Sequence, residues 1–425
     1  MHKLACILLV SVFILGSCSP APATANPISL ATSSPEPTPT SAIMPCTLLH
    51  VPVTPEAALG AEFEGRGHVS GAADAPVTII AFSDYQCLQC AFLAASLRQI
   101  RLAHPNDVRL IYLHAPQKDR DKDNLAIQAV EAADLQGKFW EMHDLLFEKQ
   151  AEWSALAPAD FEAWATTQAS DLGTPALPGT ACQGRCAAGA SVDAARFQAD
   201  FEGPVVADRL QQAIQSAAGV QPVVPPLLFV NSTSPYTSLA DFASLDTVVR
   251  MDALAARQFS ACPPKSIDPL KQYIATLHTA KGDVVFQLYP EKAPLAVNNF
   301  VFLARSGWYD GITFYRVLPE VRVMTGDPSE TGLGNPGYLF ETEIATDLHF
   351  DRPGMVALDN DGPDTNGSRF FITLGANAQW NGQYTIFGQV LSGLDILSAL
   401  TARNPQPGFS FPLGDELVSV TIEER

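Results

Sequence analysis

The sequence predicts two folded units in tandem: an α/β unit with a helical insertion, then a mainly β unit that closes like a barrel and carries two helices. Three observations carry this. The chain has 425 residues, too many for one ordinary domain and comfortable for two. Residues 77–113 read as a strand, a helix and a second strand, with long stretches of helical spacing after them. From about residue 270 the period shortens to that of strands punctuated by turns.

Apolar residues make up 47 % of the chain and charged residues 17 %, so most of it can bury a core. The formal charge is −19, from 26 Lys and Arg against 45 Asp and Glu. Nucleic-acid backbones bind basic faces, so this balance argues against nucleic acid as a partner. It argues equally against docking on anionic lipid by charge alone. Neither half accounts for the charge by itself: residues 46–269 hold 15 basic and 26 acidic residues, and residues 270–425 hold 10 and 18. The acidic helix faces of the first half are read as solvated surface.

The first segment is an address. A short basic start, Met1-His2-Lys3, precedes an apolar run over residues 4–15. A bilayer span needs roughly 20 residues, so this run suits a signal-peptide core instead. It ends at Leu15-Gly16-Ser17-Cys18, which resembles the lipobox of bacterial lipoproteins. That resemblance implies cleavage that leaves Cys18 as the first residue, and its lipidation; the alternative is an ordinary secretory signal. Residues 19–45 contain seven Pro, no Gly and one charged residue, Glu36. Such a segment cannot bury enough surface to fold and is expected to be a tether, about 80 Å long if extended as polyproline II. The expected location is extracytoplasmic, with the membrane reached through the lipid only. Without Cys6 and Cys18, six cysteines remain for pairing: Cys46, Cys87, Cys90, Cys182, Cys186 and Cys262.

The first folded unit is expected over residues 46–269. The apolar run 77–82 has the character of a strand buried on both faces and leads into Ser83-Asp84-Tyr85-Gln86-Cys87-Leu88-Gln89-Cys90. A helix over 91–102 and a strand over 108–113 follow. The Cys-x-x-Cys therefore lies at a strand-to-helix junction, where the unpaired N–H groups of the first turn and the helix dipole stabilise a thiolate. Further helical segments are expected at 124–150, 158–170, 192–217 and 245–259.

Several motifs together resemble the DsbA-like branch of the thioredoxin fold. They are Asp84-Tyr85-Gln86-Cys87, Ala126-x-x-Ala129, Gln136-Gly137-Lys138-Phe139-Trp140-x-Met142-His143, and Pro225-Pro226-Leu227-Leu228-Phe229-Val230-Asn231 after Gly219-Val220. The resemblance implies Cys87 as the attacking thiolate, Cys90 as the resolving thiol, and a cis Pro226 facing them. The dipeptide Leu88-Gln89 has neither Pro nor a charge-sharing His, so a couple less oxidising than the family's strong oxidants is expected. A structural disulfide is the alternative. Zinc is disfavoured because no second Cys-x-x-Cys or nearby His pair completes four ligands; no metal or cofactor is expected. Cys182 and Cys186 favour a local bridge, with a free pair as the alternative. A staple between Cys46 and Cys262 is then a hypothesis by elimination.

The second unit, residues 270–425, opens with a hairpin: a strand at 273–278, a Lys281-Gly282-Asp283 turn and a strand at 284–289. A helix is expected at 294–306 with Gly307 closing it, another at 393–402, and a last strand at 417–422. This unit resembles the cyclophilin-type peptidyl-prolyl isomerases through Ala293-Pro294-x-x-Val297-x-Asn299-Phe300, residues 309–317 (Tyr-Asp-Gly-Ile-Thr-Phe-Tyr-Arg-Val), Gly326-Asp327-Pro328, residues 363–373 and Tyr384-Thr385-Ile386-Phe387-Gly388. A cyclophilin-like closed barrel is the implied fold.

Isomerisation of an X–Pro bond breaks amide conjugation, a barrier of roughly 18–20 kcal/mol, and a donor aimed at the proline nitrogen stabilises the twisted state. The resemblance implies Arg316 as that donor, Phe371 in the proline pocket, Asn360 as a substrate-backbone contact, and Phe314 as a core neighbour. Other pocket positions depart from the family pattern: Val321 stands for a Phe, Arg322 for a Met, Met324 for the Gln that supports the arginine, and Arg369 for another Gln. Gln379 takes the usual Trp position with Trp380 one place on, and Tyr384 replaces a His. Arg322 and Arg369 either repel Arg316 or recruit an acidic substrate. A barrel that binds peptides without turning them over is the alternative to isomerisation.

Together the halves imply a folding factor for exported proteins, since proline isomerisation and disulfide exchange are slow steps of folding. Its expected partners are unfolded or proline-containing exported polypeptides and a redox partner the sequence does not identify. The alternatives are an oxidoreductase whose barrel only binds clients, and a non-catalytic peptide-binding lipoprotein.

Overall fold

The computed structural model describes residues 43–49, 63, 65–172, 191–218, 224–231, 235–236, 241–405 and 414–425. Cys6, Cys18, the signal segment, the tether up to residue 42, and the Cys182/Cys186 pair lie outside the described residues.

The chain begins with β1 (Thr47–Leu48), β2 (His68–Ser70) and β3 (Val77–Ser83), followed by α1 (Leu88–Ala103) and β4 (Val108–His114). Six helices come next: α2 (Asp123–Asp134), α3 (Phe139–Glu148), α4 (Gln150–Ser154), α5 (Pro158–Ser170), α6 (Ala194–Phe201) and α7 (Pro204–Ala218). β5 (Leu227–Val230) and α8 (Phe242–Ala255) complete this half. Its sheet has the order β2-β4-β3-β5, with β3 and β4 parallel and the two outer strands antiparallel to them.

β3 separates two cores by strand periodicity. Val77, Ile79 and Ala81 belong to the larger core with the helices, while Ile80 and Phe82 meet Ile111, Leu113 and Phe63 on the opposite face. The alternation explains why the run reads as continuously apolar.

Two expected helices are broken. The stretch 124–150 is three helices, with the first break at Gly137, whose φ of +72° is the left-handed turn glycine adopts without strain. The stretch 192–217 is α6 and α7, divided at Gly203-Pro204, where proline starts a new helix because its missing N–H costs nothing there. The edge strand β2 was not read from the sequence at all; three residues carry no periodic signal.

The second half contains β6 (Tyr273–Thr279), β7 (Gly282–Leu288), α9 (Pro294–Arg305), β8 (Ile312–Thr313), β9 (Arg316–Leu318), β10 (Arg322–Thr325), β11 (Tyr338–Leu339), β12 (Met355–Leu358) and β13 (Phe370–Thr373). A 3-10 turn at Ala378–Trp380, β14 (Ile386–Ser392), α10 (Leu394–Ser398) and β15 (Glu416–Glu424) follow. Nine strands form one sheet in the order β8-β15-β6-β7-β14-β12-β13-β10-β9. The expectation was a closed barrel. The described ladder instead has two ends, β8 and β9, which adjoin in sequence but share no strand pairing. The sheet curls round a core that includes Phe286, Phe300, Val317, Phe370 and Phe387.

The end of the expected tether belongs to this second half. Met44 is 1 % exposed within its core, Ile43 bridges Pro264, and β1 pairs antiparallel with β11. Cys46 and Cys262 are disulfide-bonded, with Cα atoms 5.8 Å apart. Helix α8 stops at Ala255 rather than 259 because the chain leaves it to join the other half: the Phe259 N–H donates to the Pro336 carbonyl at 2.9 Å. Leu245 and Val249 of α8 sit in the first core and Leu254 in the second, so one helix is shared between them. Across the same contact Arg250 pairs with Glu330 at 3.3 Å, and Arg257 donates to the Trp308 carbonyl.

Candidate functional site

The cysteine pair sits where β3 gives way to α1. Cys87 is the N-cap of α1, in extended backbone, and its Sγ accepts the Cys90 N–H at 3.1 Å. The two cysteines are disulfide-bonded, with Cα atoms 5.1 Å apart. The peptide bond entering Pro226 is cis, and the Pro225 carbonyl oxygen lies 3.8 Å from Cys87 Sγ. The helical insertion fixes the loop from behind: Gln150 Nε2 donates to the carbonyls of Tyr85 at 2.7 Å and Cys87 at 2.9 Å. Outward, Leu88 and Phe92 are 67 % and 70 % exposed, an i, i+4 apolar pair beside the cysteines.

Two buried carboxylates adjoin this loop. The Gln86 N–H donates to Asp84 Oδ1 at 2.6 Å and lies 3.2 Å from Asp123 Oδ1. Burial and the neighbouring Asp84 carboxylate push the Asp123 carboxyl up to about 8. Asp84 adjoins a recognisable motif, whereas Asp123 has no local signal and was missed from sequence.

A second buried network was also missed. His68 and His114 both approach Glu131 Oε1 through Nε2, at 2.7 and 3.1 Å, while Arg209 donates to Glu131 Oε2 at 2.9 Å. Burial raises the Glu131 carboxyl, but the two imidazoles outweigh it and hold the group well below the ordinary range. The same burial lowers His114. His68, His114 and Glu131 offer ligand atoms within 4.8 Å of one another, so they are the group among the described residues able to hold a metal ion. Within this cluster His114 Nδ1 is buried without a hydrogen-bond partner.

The second site is built by strand register. Met324 on β10 pairs with Arg316 on β9 and with Phe371 on β13; Phe371 in turn pairs with Ala357, and Ala357 with Ile386. Cross-strand partners share a face, so these five residues form one row on the outside of the curled sheet. Residues alternating with them, Val317, Val323, Phe370 and Ile372, point into the main core. Met324, Ala357, Phe371 and Ile386 join Tyr315, Phe350 and Met355 in a smaller cluster, with Trp380 and Tyr384 packed against it. The Phe371 ring meets Trp380 edge-on at 5.4 Å and Tyr384 at 5.2 Å.

Arg316 stands at one end of the row, half-buried, and its Nε is buried with no hydrogen-bond partner. Phe314 is fully buried in the main core. Val321, at the tip between β9 and β10, is 40 % exposed. Asn360 is held by its own loop and by the one before β14: its Oδ1 accepts from the Gly362 N–H and its Nδ2 donates to the Gln383 carbonyl at 3.2 Å.

The two extra cations are not equivalent. Arg369 donates to the Gly332 carbonyl and to Asp361 Oδ2, and faces Asp359 Oδ2 at 3.6 Å. Burial pushes the Asp359 carboxyl up while Arg369 and Arg322 pull it down. Arg322 instead lays its guanidinium over Phe371 and Trp380, 5.1 and 4.9 Å from the ring centroids.

Two family models match this chain: "Cyclophilin type peptidyl-prolyl cis-trans isomerase" over residues 274–416, and "Thioredoxin" over residues 64–241. The chain thus joins a thioredoxin-like domain to a cyclophilin domain. It is 44 % identical over 123 residues to "Peptidyl-prolyl cis-trans isomerase ppi1" of Schizosaccharomyces pombe, covering 28 % of this chain and 79 % of that protein. It is 38 % identical over 173 residues to "Peptidyl-prolyl cis-trans isomerase B" of Streptomyces anulatus, covering 36 % of this chain and 99 % of the relative. Among solved structures, a cyclophilin-type isomerase of Cryptosporidium parvum aligns at 30 % identity and a TM-score of 0.33, covering 36 % of this chain and 98 % of that one. The chain belongs to the cyclophilin-type peptidyl-prolyl cis-trans isomerase family.

Proposed function

We propose that this protein is a peptidyl-prolyl isomerase with a thiol–disulfide exchange domain, assisting the folding of exported proteins. The carrying observation is the cross-strand row in which Arg316, Met324 and Phe371 stand side by side. It sets one guanidinium at the edge of an apolar, aromatic-walled patch, the combination needed to hold a proline ring and stabilise its pyramidal nitrogen. Arg316 is the catalytic donor. Phe371, Trp380, Tyr384 and Met324 form the pocket, with Val321, Asn360 and Arg369 at its margin.

In the first domain, with the pair reduced, Cys87 attacks a client disulfide as thiolate, displacing one client sulfur as thiolate and forming a mixed disulfide with the other. Cys90 then attacks Cys87 Sγ, releasing the client thiol and closing the Cys87–Cys90 bond. The two electrons pass from the cysteine pair to the client, and the reverse sequence oxidises a client dithiol. The N-terminus of α1 stabilises the Cys87 thiolate, and Pro226 shapes the peptide site. Lipidation of Cys18 would hold both domains outside the cytoplasmic membrane.

A protease-coupled proline-peptide assay on the full chain, with Arg316→Ala beside it, tests the isomerase reading; equal rates in the two would reject it. An insulin-reduction assay tests the redox reading, which a Cys87→Ser variant as active as its parent would reject.

A further inference from the structure

The pocket that the isomerase reading assigns to proline already contains a cation. Arg322 follows Val321 at the start of β10 and shares its face of the strand with Met324, two residues on. That places its guanidinium on the rings of Phe371 and Trp380, at 5.1 and 4.9 Å. These are the rings proposed to receive the proline, so a proline ring and this side chain compete for the same surface.

The guanidinium is poorly satisfied where it lies. Its Nε and Nη1 are buried without a hydrogen-bond partner. The nearest carboxylate oxygen, Asp359 Oδ1, is 4.0 Å from Nη1, beyond hydrogen-bond reach. Asp359 cannot serve Arg322 alone, because its other oxygen faces Arg369. Arg369 has its own partners in Asp361 and the Gly332 carbonyl. Of the two added cations in the cleft, Arg322 is therefore the one with donors to spare.

We propose that Arg322 forms a carboxylate-binding subsite in the isomerase cleft, which selects prolines flanked by Asp or Glu in the client chain. A guanidinium matches a carboxylate with two parallel hydrogen bonds. An acidic side chain beside the proline satisfies the unmade donors and draws the guanidinium off Phe371, clearing the ring for the proline. A neutral neighbour offers no such exchange, and a basic one adds repulsion beside Arg316. This inference rests on the isomerase reading and adds a substrate class to it.

The test uses the full chain and succinyl-Ala-Xaa-Pro-Phe anilides with Xaa as Glu, Gln, Ala or Lys, and a second series with the variable residue after proline. In at least one series the parent protein is expected to favour Glu over Gln by about tenfold in kcat/KM, the worth of a charge-assisted hydrogen bond. The preference shrinks in 0.5 M salt, as a charge interaction must. Arg322→Met brings the Glu-to-Gln ratio close to one, while Arg322→Lys keeps part of it. A ratio near one for the parent in both series, with Arg316→Ala inactive, overturns the subsite and leaves the isomerase intact. A preference unchanged in Arg322→Met also overturns it. If the parent turns over no peptide faster than Arg316→Ala, the isomerase reading falls, and calorimetric titration with the same peptides decides the subsite: equal affinity for Glu and Gln overturns it.

Discussion

Met324 faces Arg316 directly across the ladder between β9 and β10, so a thioether stands where a hydrogen-bonding side chain could hold the guanidinium. Arg316 Nε is correspondingly buried without a partner. The guanidinium proposed as the donor can therefore sample orientations that do not point at a proline nitrogen. Replacing Met324 with Gln supplies an acceptor of similar length, and one recovered hydrogen bond of about 1 kcal/mol corresponds to about fivefold in rate. Met324→Gln is expected to raise kcat/KM by about that factor in the proline-peptide assay, and Arg316→Ala to reduce it to the uncatalysed background. An unchanged rate in Met324→Gln would show that the thioether is not what limits the arginine.

The row containing these residues was legible only in part. Arg316 and Phe371 stood out in the sequence because each lies within a motif. Their adjacency did not, since it depends on Met324 pairing with both, and a ladder register between residues almost 50 positions apart leaves no local mark. Arg322 and Arg369 looked alike as cations replacing neutral residues. The difference between them comes from Asp361 and the Gly332 carbonyl, which only the fold brings to Arg369. The strand-to-helix setting of Cys87 was legible because an unbroken apolar run passes straight into helical spacing. The attachment of Met44 to the second core was not, because the proline-rich stretch before it masks a two-residue strand.

Asp123 makes the first domain pH-sensitive. Its folded-state value of about 8 lies above the roughly 3.9 of an unfolded Asp. The folded chain therefore holds a proton that the unfolded chain gives up. The associated stability is complete below about pH 4 and is lost as pH rises through 8. Asp123→Asn replaces the protonated carboxyl with a neutral group and removes this loss. Urea denaturation followed by tryptophan fluorescence should show parent and variant closest at pH 4. At pH 8 the variant should be more stable by on the order of a few kcal/mol. Parallel pH profiles would show that Asp123 ionises normally.

The Cys46–Cys262 bond closes a loop across a sequence separation of 216 residues, and Cys46 packs against the second domain's core. Long loops gain most from cross-linking, because the unfolded chain loses the most freedom. The double variant Cys46→Ala, Cys262→Ala should lose about 2–5 kcal/mol of unfolding free energy, measured by denaturant titration under non-reducing conditions. Dithiothreitol should lower the parent toward the same midpoint and leave the variant's second-domain transition in place.

Cys87 and Cys90 differ in access as well as position. Cys87 is 5 % exposed and caps α1, whereas Cys90 is fully buried one turn later. After reduction, iodoacetamide should therefore modify a single cysteine of this pair at pH 7, and peptide mapping should find it at Cys87. The pH midpoint of that reaction should fall below the 8.5 or so of a free thiol, because the N-terminal amides of α1 favour the thiolate. Cys90→Ser should trap a mixed disulfide with a reporter peptide, since no second thiol remains to resolve it. Cys87→Ser should trap none. A midpoint at or above that of a free thiol, or equal trapping by both variants, would make the bond a structural bridge, and the exchange reaction would then have to be withdrawn from the proposed function.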